Sequence, residues 1–255
     1  MNTLSVIRVY GEFFTGFSVI YPSQTSAPTP LPLPPPTTLV GALSASIARV
    51  RKEPETTFEN GSLASRAVEL LDVVKYATFG IKDGYAIPFQ DLSRYLMAPY
   101  QHRPHLHFSA LAFGRVSAAS LKFSILYFVN TEDPSALARM AWGILALGNK
   151  ESLVSIEDVK VLSVEVVNID EGETIYYTPS KIAMPLASCK ATYMWPLTPE
   201  AYKARGAALE EWLIPIDPLS FVGGAMRVRR NDKGIFVKVG EDLVLIPKRV
   251  LGERS

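Results

Sequence analysis

Residues 28–50 read PTPLPLPPPTTLVGALSASIARV, and the fold turns on how that stretch divides. Six of its first nine residues are proline, which fixes φ, removes backbone donors and holds the chain extended. A helix starts where the prolines end: Thr37 or Thr38 is placed to cap it, and Leu39, Leu43, Ile47 and Val50 recur at helical spacing. Gly41, Ala42, Ser44, Ala45, Ser46 and Ala48 leave the other faces without bulk, so this helix can lie flat against a sheet or another backbone. The prolines keep the preceding segment out of a sheet interior, so the stretch is a stiff connection feeding a buried helix.

Outward from it the chain alternates strand and helix. Residues 4–10 (LSVIRVY) show the two-residue period of a half-buried strand, with a bulge expected at Gly11 or Gly16. Phe13, Phe14 and Phe17 follow; they serve the core, a subunit contact or the stacking of a base. Residues 63–71 read as a short helical piece. Residues 73–79 and 85–89 read as a hairpin turning at Asp83–Gly84, with Lys82 solvated at its tip. Residues 116–129 give a long strand, and Asp133–Pro134 starts a second helix with a buried stripe of Leu137, Met140, Ala141, Ile144 and Leu145, closed by Gly148. Another strand is expected over 155–167. Beyond Ile169 proline recurs, with a helix expected over 199–212 and strands over 235–239 and 243–246.

That order is close to the split βαβ arrangement of ferredoxin-like and RNA-recognition-motif-like domains, an α+β fold. The expected division is a domain over 1–168, with a long insertion at about 90–115, and a smaller β-rich appendage over 169–255. Open sheets of this class offer a face to single-stranded RNA.

Composition limits the function. The 255 residues carry 26 Lys+Arg against 25 Asp+Glu, a net charge of +1, which disfavours an independent nucleic-acid binder but leaves room for local patches. Arg94, Arg103, Arg115 and Lys122 face only Asp91 between residues 90 and 130, and His102, His105 and His107 fall there too. Much of the compensating acid lies in 151–173, so the chain is polarised to hold a phosphate backbone on one face and a basic neighbour on another. One cysteine, Cys189, excludes an internal disulfide and suits a reducing compartment such as the cytoplasm. No secretory signal or membrane-spanning run is read from the sequence, so a membrane is not an expected partner.

The insertion, DLSRYLMAPYQHRPHLHFSALAFGRV, has neither helical nor strand period. Its guanidinium groups and rings alternate as a single RNA strand requires, cations for phosphates and aromatic faces for bases. The other reading is a lid over the protein's own core. LGNKESLV, after the second helix, offers a glycine-permitted turn, Lys150 and the Ser152 hydroxyl to an anion, without the spacing of a nucleotide-binding P-loop. Metal binding by HxxHxH lacks a cysteine or HExxH partner and sits beside Arg103, so neither metal nor other cofactor is expected.

The run PPPTTLVGAL after a long first strand, the LGNKES loop after the second helix, and their order resemble the archaeal type I-A members of the fifth CRISPR-associated protein family. These are RAMP-superfamily subunits of the Cascade surveillance complex. The resemblance implies a RAMP domain with an RNA-contacting hairpin or thumb at the insertion, and a glycine-rich loop that contacts the guide RNA. It implies a non-catalytic subunit holding the repeat-derived upstream handle, partnered by that RNA, the backbone RAMP subunit and other Cascade subunits in antiviral defence. The RNA-contact residues expected on this basis and on charge are Arg94, His102, Arg103, Arg115, Lys122, Lys150 and Ser152. Pro36, Thr37, Thr38 and Gly41 are the expected partner contacts. The alternative is a metal-independent endoribonuclease processing repeat transcripts, as in the similar type I-C relatives: a histidine would activate the 2′-hydroxyl and Arg103 or Lys122 would meet the developing charge. The adjacent Lys–His pair of those cleaving relatives is not reproduced here.

Overall fold

The computed structural model describes residues 4–20, 29–59, 62–96, 108–202 and 208–252. Its centre is a four-stranded sheet. Strand β1 (Ser5–Phe13) buries Ile7, Val9 and Phe13 on one face, the expected alternation. It lies between two antiparallel neighbours that come much later in the chain. The other elements used here are helix α1 (Pro36–Arg51) and strands β2 (Val74–Asp83), β3 (Ile87–Leu96), β4 (Phe108–Ser117) and β5 (Lys122–Val129). Helix α2 (Pro134–Ala141) and strand β6 (Val154–Ser163) follow. The sheet order is β2-β5-β1-β6, with every neighbouring pair antiparallel. The register of β1 against β6 shifts between Tyr10 and Gly11, where Glu157 of β6 is the extra residue, so the bulge lies on β6 and not on β1, opposite the expected Gly11. A Cβ at Gly11 would collide with the Ser155 carbonyl and the Phe123 ring, which is why glycine sits where these strands press together.

Helix α1 packs on β2, and α2 packs on β1 and β6. The two helices touch where the Ser46 hydroxyl donates to the Met140 carbonyl. The helix begins at Pro36, with Pro35 at the cap and no side-chain capping bond, so Thr37 and Thr38 lie in the first turn and neither caps it. Proline at the first helical position makes a side-chain cap less necessary, because the donor it lacks would be an orphan anyway. What the proline run has in excess is carbonyls, and three tyrosines supply donors to it and to the first helical turn. Tyr127 Oη donates to the Leu39 carbonyl at 2.8 Å, Tyr177 Oη to Pro34 at 3.2 Å and Tyr202 Oη to Thr37 at 3.2 Å. Leu31 and Leu33, between the prolines, are fully buried. The stretch is therefore an anchored part of the core.

Several sequence readings change. Strands β2 and β3 do not pair: β2 joins the central sheet, whereas β3 pairs with β4 from Ile87↔Ser117 to Leu96↔Phe108, and Gly16–Phe17 adds to β4. Gly84, at φ +105°, supplies the expected turn chemistry but redirects the chain out of the sheet, and Tyr85 bridges to Val222 instead. The flanks of the insertion, read as lacking a strand period, are these ten-residue strands; residues 97–107 lie outside the described residues. Residues 62–65 are strand and only Arg66–Asp72 is helical, as a 3-10 segment. Helix α2 is capped by Asp133 as expected, its carboxylate accepting from the Ala136 N–H at 2.9 Å, but it ends at Ala141, so Gly148 lies in a loop beyond it.

Residues 165–252 form three small antiparallel sheets. Of the helix expected over 199–212, the described residues show a 3-10 turn at Pro199–Tyr202 and the start of strand Glu210–Ile214; residues 203–207 lie outside them. Burial outweighs helix propensity there, since Trp212 is sandwiched against Tyr76 (6.4 Å between centroids, stacked) and Tyr177 (5.2 Å, edge-on). Tyr177 also donates its N–H to the Phe79 carbonyl, and the Thr78 hydroxyl donates to the Tyr177 carbonyl, so this segment covers the β2 edge of the sheet. One hydrophobic cluster joins Ile7, Phe79 and Phe123 to Tyr177, Trp212, Val237 and Ile246, with a smaller cluster around Met226, Val228 and Phe236. The result is a mixed α/β fold in which strand outweighs helix. No helix among the described residues is long and apolar enough to cross a membrane.

Candidate nucleic-acid interface

Residues 148–153 form a ridge with a cleft on each side. Its shape comes from Gly148, at φ +133°, where a Cβ would lie 2.8 Å from Ser152 Oγ and 3.0 Å from the Ser18 carbonyl. The Ser152 hydroxyl is fully buried, donating to Asn149 Oδ1 at 2.6 Å and accepting from the Ser18 N–H at 3.1 Å. The Ser152 N–H closes the turn on the Asn149 carbonyl, and the Asn149 N–H reaches the Ser18 carbonyl. These bonds leave Lys150 exposed at the crest, with no ion-pair partner among the described residues.

On one side is a cavity of about 400 Å³ between the slim face of α1 and the ridge. Thr38, Gly41 and Ala45 form its wall, while Leu145, Lys150 and Leu153 face them. A Cβ at Gly41 would meet nothing within 4 Å, so the glycine leaves open space. Arg49 completes the far end, fixed by donation to the Ala45 and Gly143 carbonyls. On the other side is a cleft of about 130 Å³ lined by Phe17, Phe89, Arg115, Asn149, Glu151 and Ser152. Gly148, Lys150 and Leu153 thus face the larger cavity, and Asn149, Glu151 and Ser152 the smaller cleft.

The expected site residues separate into groups. Lys150, Thr38 and Gly41 share the larger cavity; Arg115 and Ser152 share the smaller one. Arg115 is not a free cation, because its guanidinium pairs with Asp91 at 3.1 Å and Glu151 at 3.0 Å. Lys122 is half-buried at the start of β5, in register with Glu12 on β1 and Asp83 on β2. Pro36 is buried and the Thr37 carbonyl is held by Tyr202. Arg94 lies on β3 opposite Ala110. His102 and Arg103, with His105 and His107, lie outside the described residues. Lys82 is not a solvated hairpin tip; its amine is 2.6 Å from Asp242.

The aromatic alternatives also resolve. Phe13 and Phe17 are buried core rings, whereas Phe14 is 63% exposed. Phe89, 44% exposed and in register with Arg115, is a ring beside a guanidinium that sequence reasoning missed. Asn149 and Arg49 were missed as well. Nothing in the local sequence marks them, since Arg49 meets its cavity through Gly143 in the α2–β6 loop and Asn149 meets its cleft through Ser18 and β4, all distant in the chain.

No family model matches the chain. It is 28% identical to the CRISPR-associated protein Cas5 2 of Saccharolobus solfataricus, across 91% of both chains. It is also 26% identical to the CRISPR system aCascade subunit Cas5 1 of that organism, across 67% of this chain and 70% of the relative. In fold it resembles the crystal structure of a CRISPR protein from Archaeoglobus fulgidus, with a TM-score of 0.61 and 17% identity over 95% of this chain and 99% of the other. The chain is a homologue of the archaeal Cas5 proteins of CRISPR systems.

Proposed function

We propose that this protein is an RNA-binding structural subunit of a type I-A CRISPR effector complex, non-catalytic, holding the repeat-derived upstream handle of the guide RNA and joining the backbone RAMP subunit. The observation that carries the reading is the ridge: Lys150, with no ion-pair partner among the described residues, stands over an open cavity walled by the bare face of α1, in a chain similar to an aCascade subunit. Lys150 supplies a phosphate-seeking charge, and Phe89 and Phe14 present exposed rings of the kind on which bases stack. Ser152 acts by shaping the ridge, its hydroxyl being fully engaged within it. Thr38 and Gly41 serve as contacts for a partner entering the cavity. Arg94, His102, Arg103 and Lys122 complete the RNA-contacting set, and Arg115 joins it by exchanging a carboxylate for a phosphate.

The same reading makes the central sheet ferredoxin-like: its order interleaves two strand–helix–strand units, β1-α1-β2 and β5-α2-β6. Residues 1–168 are then the RAMP unit, with β3 and β4 as the base of its thumb, and 169–255 the β-rich appendage. All four strands of the central sheet and both α-helices fall before residue 168, which supports that division.

The test is guide-RNA binding across a salt titration, comparing the protein with a combined Arg103→Ala/Lys150→Ala variant. Two lost phosphate contacts to a single strand lower the salt slope by about 1.4. An unchanged slope and affinity overturn the assignment.

A further inference from the structure

The end of the sheet remote from the ridge holds a third cavity that the RNA-binding reading does not use. Phe13 and Lys122 mark the ridge end, since the Phe14 N–H bonds the Leu153 carbonyl. At the other end, Ser5, Val74 and Val129 lie side by side. Eight residues of strand separate the two ends, roughly 25 Å. There a cavity of about 240 Å³ is lined by Leu4, Lys75, Asn130, Arg249 and the turn 250–252.

Its charge is one-sided. Lys75 and Arg249 are both exposed and come from segments far apart in the chain, yet they line the same space. No carboxylate lines it, and among the described residues neither cation has an ion-pair partner, although many of this protein's surface arginines and lysines do. Two like charges gathered in one concavity repel each other, and the repulsion is relieved when an anion enters between them. The backbone enforces the arrangement. Lys75 sits in the register shift between Val74 and Tyr76, so it leaves the β2–β5 ladder there, and the 3-10 turn Lys248–Leu251 fixes Arg249. Exposed Asn130, whose N–H is tied to the Val73 carbonyl, adds a neutral side-chain amide to the lining.

We propose that this cavity is a phosphoryl-binding site, in which Lys75 and Arg249 hold the oxygens of a phosphate group and the Asn130 amide donates to it. The phosphate belongs either to a nucleic-acid strand or to a free anion, and the chemistry of capture is the same. Arg supplies a planar fork that suits two phosphate oxygens, and Lys a point charge beside it.

Thermal unfolding of the whole protein in inorganic phosphate tests this, with chloride at equal ionic strength as reference. Phosphate stabilises proteins generally, so the reading is the difference between the protein and its Lys75→Ala/Arg249→Ala variant. Both side chains are exposed, so the variant keeps the fold. The expected result is a Tm rise of about 3 °C when phosphate is about tenfold above its Kd, absent in the variant and retained in Lys150→Ala. Equal phosphate-dependent shifts in the protein and the double variant overturn the proposal. A second arm titrates a single-stranded RNA oligonucleotide with salt. A slope reduced by about 1.4 in the double variant assigns the phosphate to the strand, and an unchanged slope assigns it to a free anion. Failure of guide-RNA binding in Lys150→Ala alone leaves this site untouched, which separates the two tests.

Discussion

The Tyr176 hydroxyl lies 2.7 Å from Asp242 Oδ2, and the same carboxylate holds the Lys82 amine at 2.6 Å. Tyr176 also lies 2.7 Å from Ser124 Oγ, so it donates to the carboxylate and accepts from the serine. This chain of contacts ties β2 and β5 to strand Asp242–Pro247 and locks the C-terminal segment across the sheet. The Asp242 side chain is only 13% exposed. Asp242→Asn keeps its shape but leaves Lys82 unpaired, and should cost about 1–2 kcal/mol, discounted for the partial exposure of the lysine. Urea unfolding measures it; a midpoint equal to that of the parent protein contradicts the role.

Burial holds Tyr76, Tyr127, Tyr176, Tyr177 and Tyr202 above the ordinary tyrosine value of 10.0, with the Asp242 carboxylate adding to the effect at Tyr176. A raised folded value means that the native state keeps its phenolic protons while the unfolded chain releases them. The stabilisation is therefore complete below pH 10 and is lost as pH rises above it, by about 1.4 kcal/mol per pH unit for each tyrosine. Alkaline unfolding should be steep, and Tyr127→Phe should reduce the proton release by one. A stability flat from pH 9 to 11 contradicts this.

The tyrosine donors to the proline stretch predict a specific loss. Tyr127→Phe and Tyr177→Phe should each cost about 1 kcal/mol, with the ring packing retained. Their double variant should also expose Leu31 and Leu33, seen as faster proteolysis within residues 28–38.

Gly41 separates folding from binding. Because its Cβ direction is open, Gly41→Ala should raise stability by up to about 1 kcal/mol through helix propensity. Gly41→Leu should leave Tm unchanged within about 2 °C while blocking the cavity and reducing complex assembly at least several-fold. Normal assembly of Gly41→Leu removes the cavity from the interface.

Gly148→Ala should do the reverse. A side chain at φ +133° strains the ridge and presses on Ser152 and Ser18, costing about 1–3 kcal/mol and displacing Lys150. RNA affinity should fall even though no charge is lost, and a normal affinity shows that ridge geometry does not matter.

The central architecture was legible because its signals are local. Period-two alternation marks β1 and β5, proline-to-apolar spacing marks α1, and Asp133–Pro134 marks the start of α2. Asp83–Gly84 misled because turn chemistry reports a change of direction and says nothing about which strand is paired next; the partner of β3 arrives more than ten residues later. Residues 199–212 misled because helix-forming residues surround Trp212, whose burial against Tyr76 and Tyr177 decides for strand. The two clefts could not be read at all. Lys150 was singled out, but its opposite wall is Thr38 and Gly41, and only the folded sheet brings them across the ridge. The neutralisation of Arg115 by Asp91 and Glu151 is equally a product of pairing β3 with β4 and of the ridge beside them.

The most direct test of the central claim is co-purification. The protein is expressed with the backbone RAMP subunit and a repeat-containing transcript, isolated in low salt, and its bound RNA sequenced. The account predicts one short, discrete RNA that begins with the repeat-derived segment, retained together with the backbone subunit and reduced several-fold by Lys150→Ala. Recovery of the backbone subunit without RNA, or of equal RNA on Lys150→Ala, would contradict it.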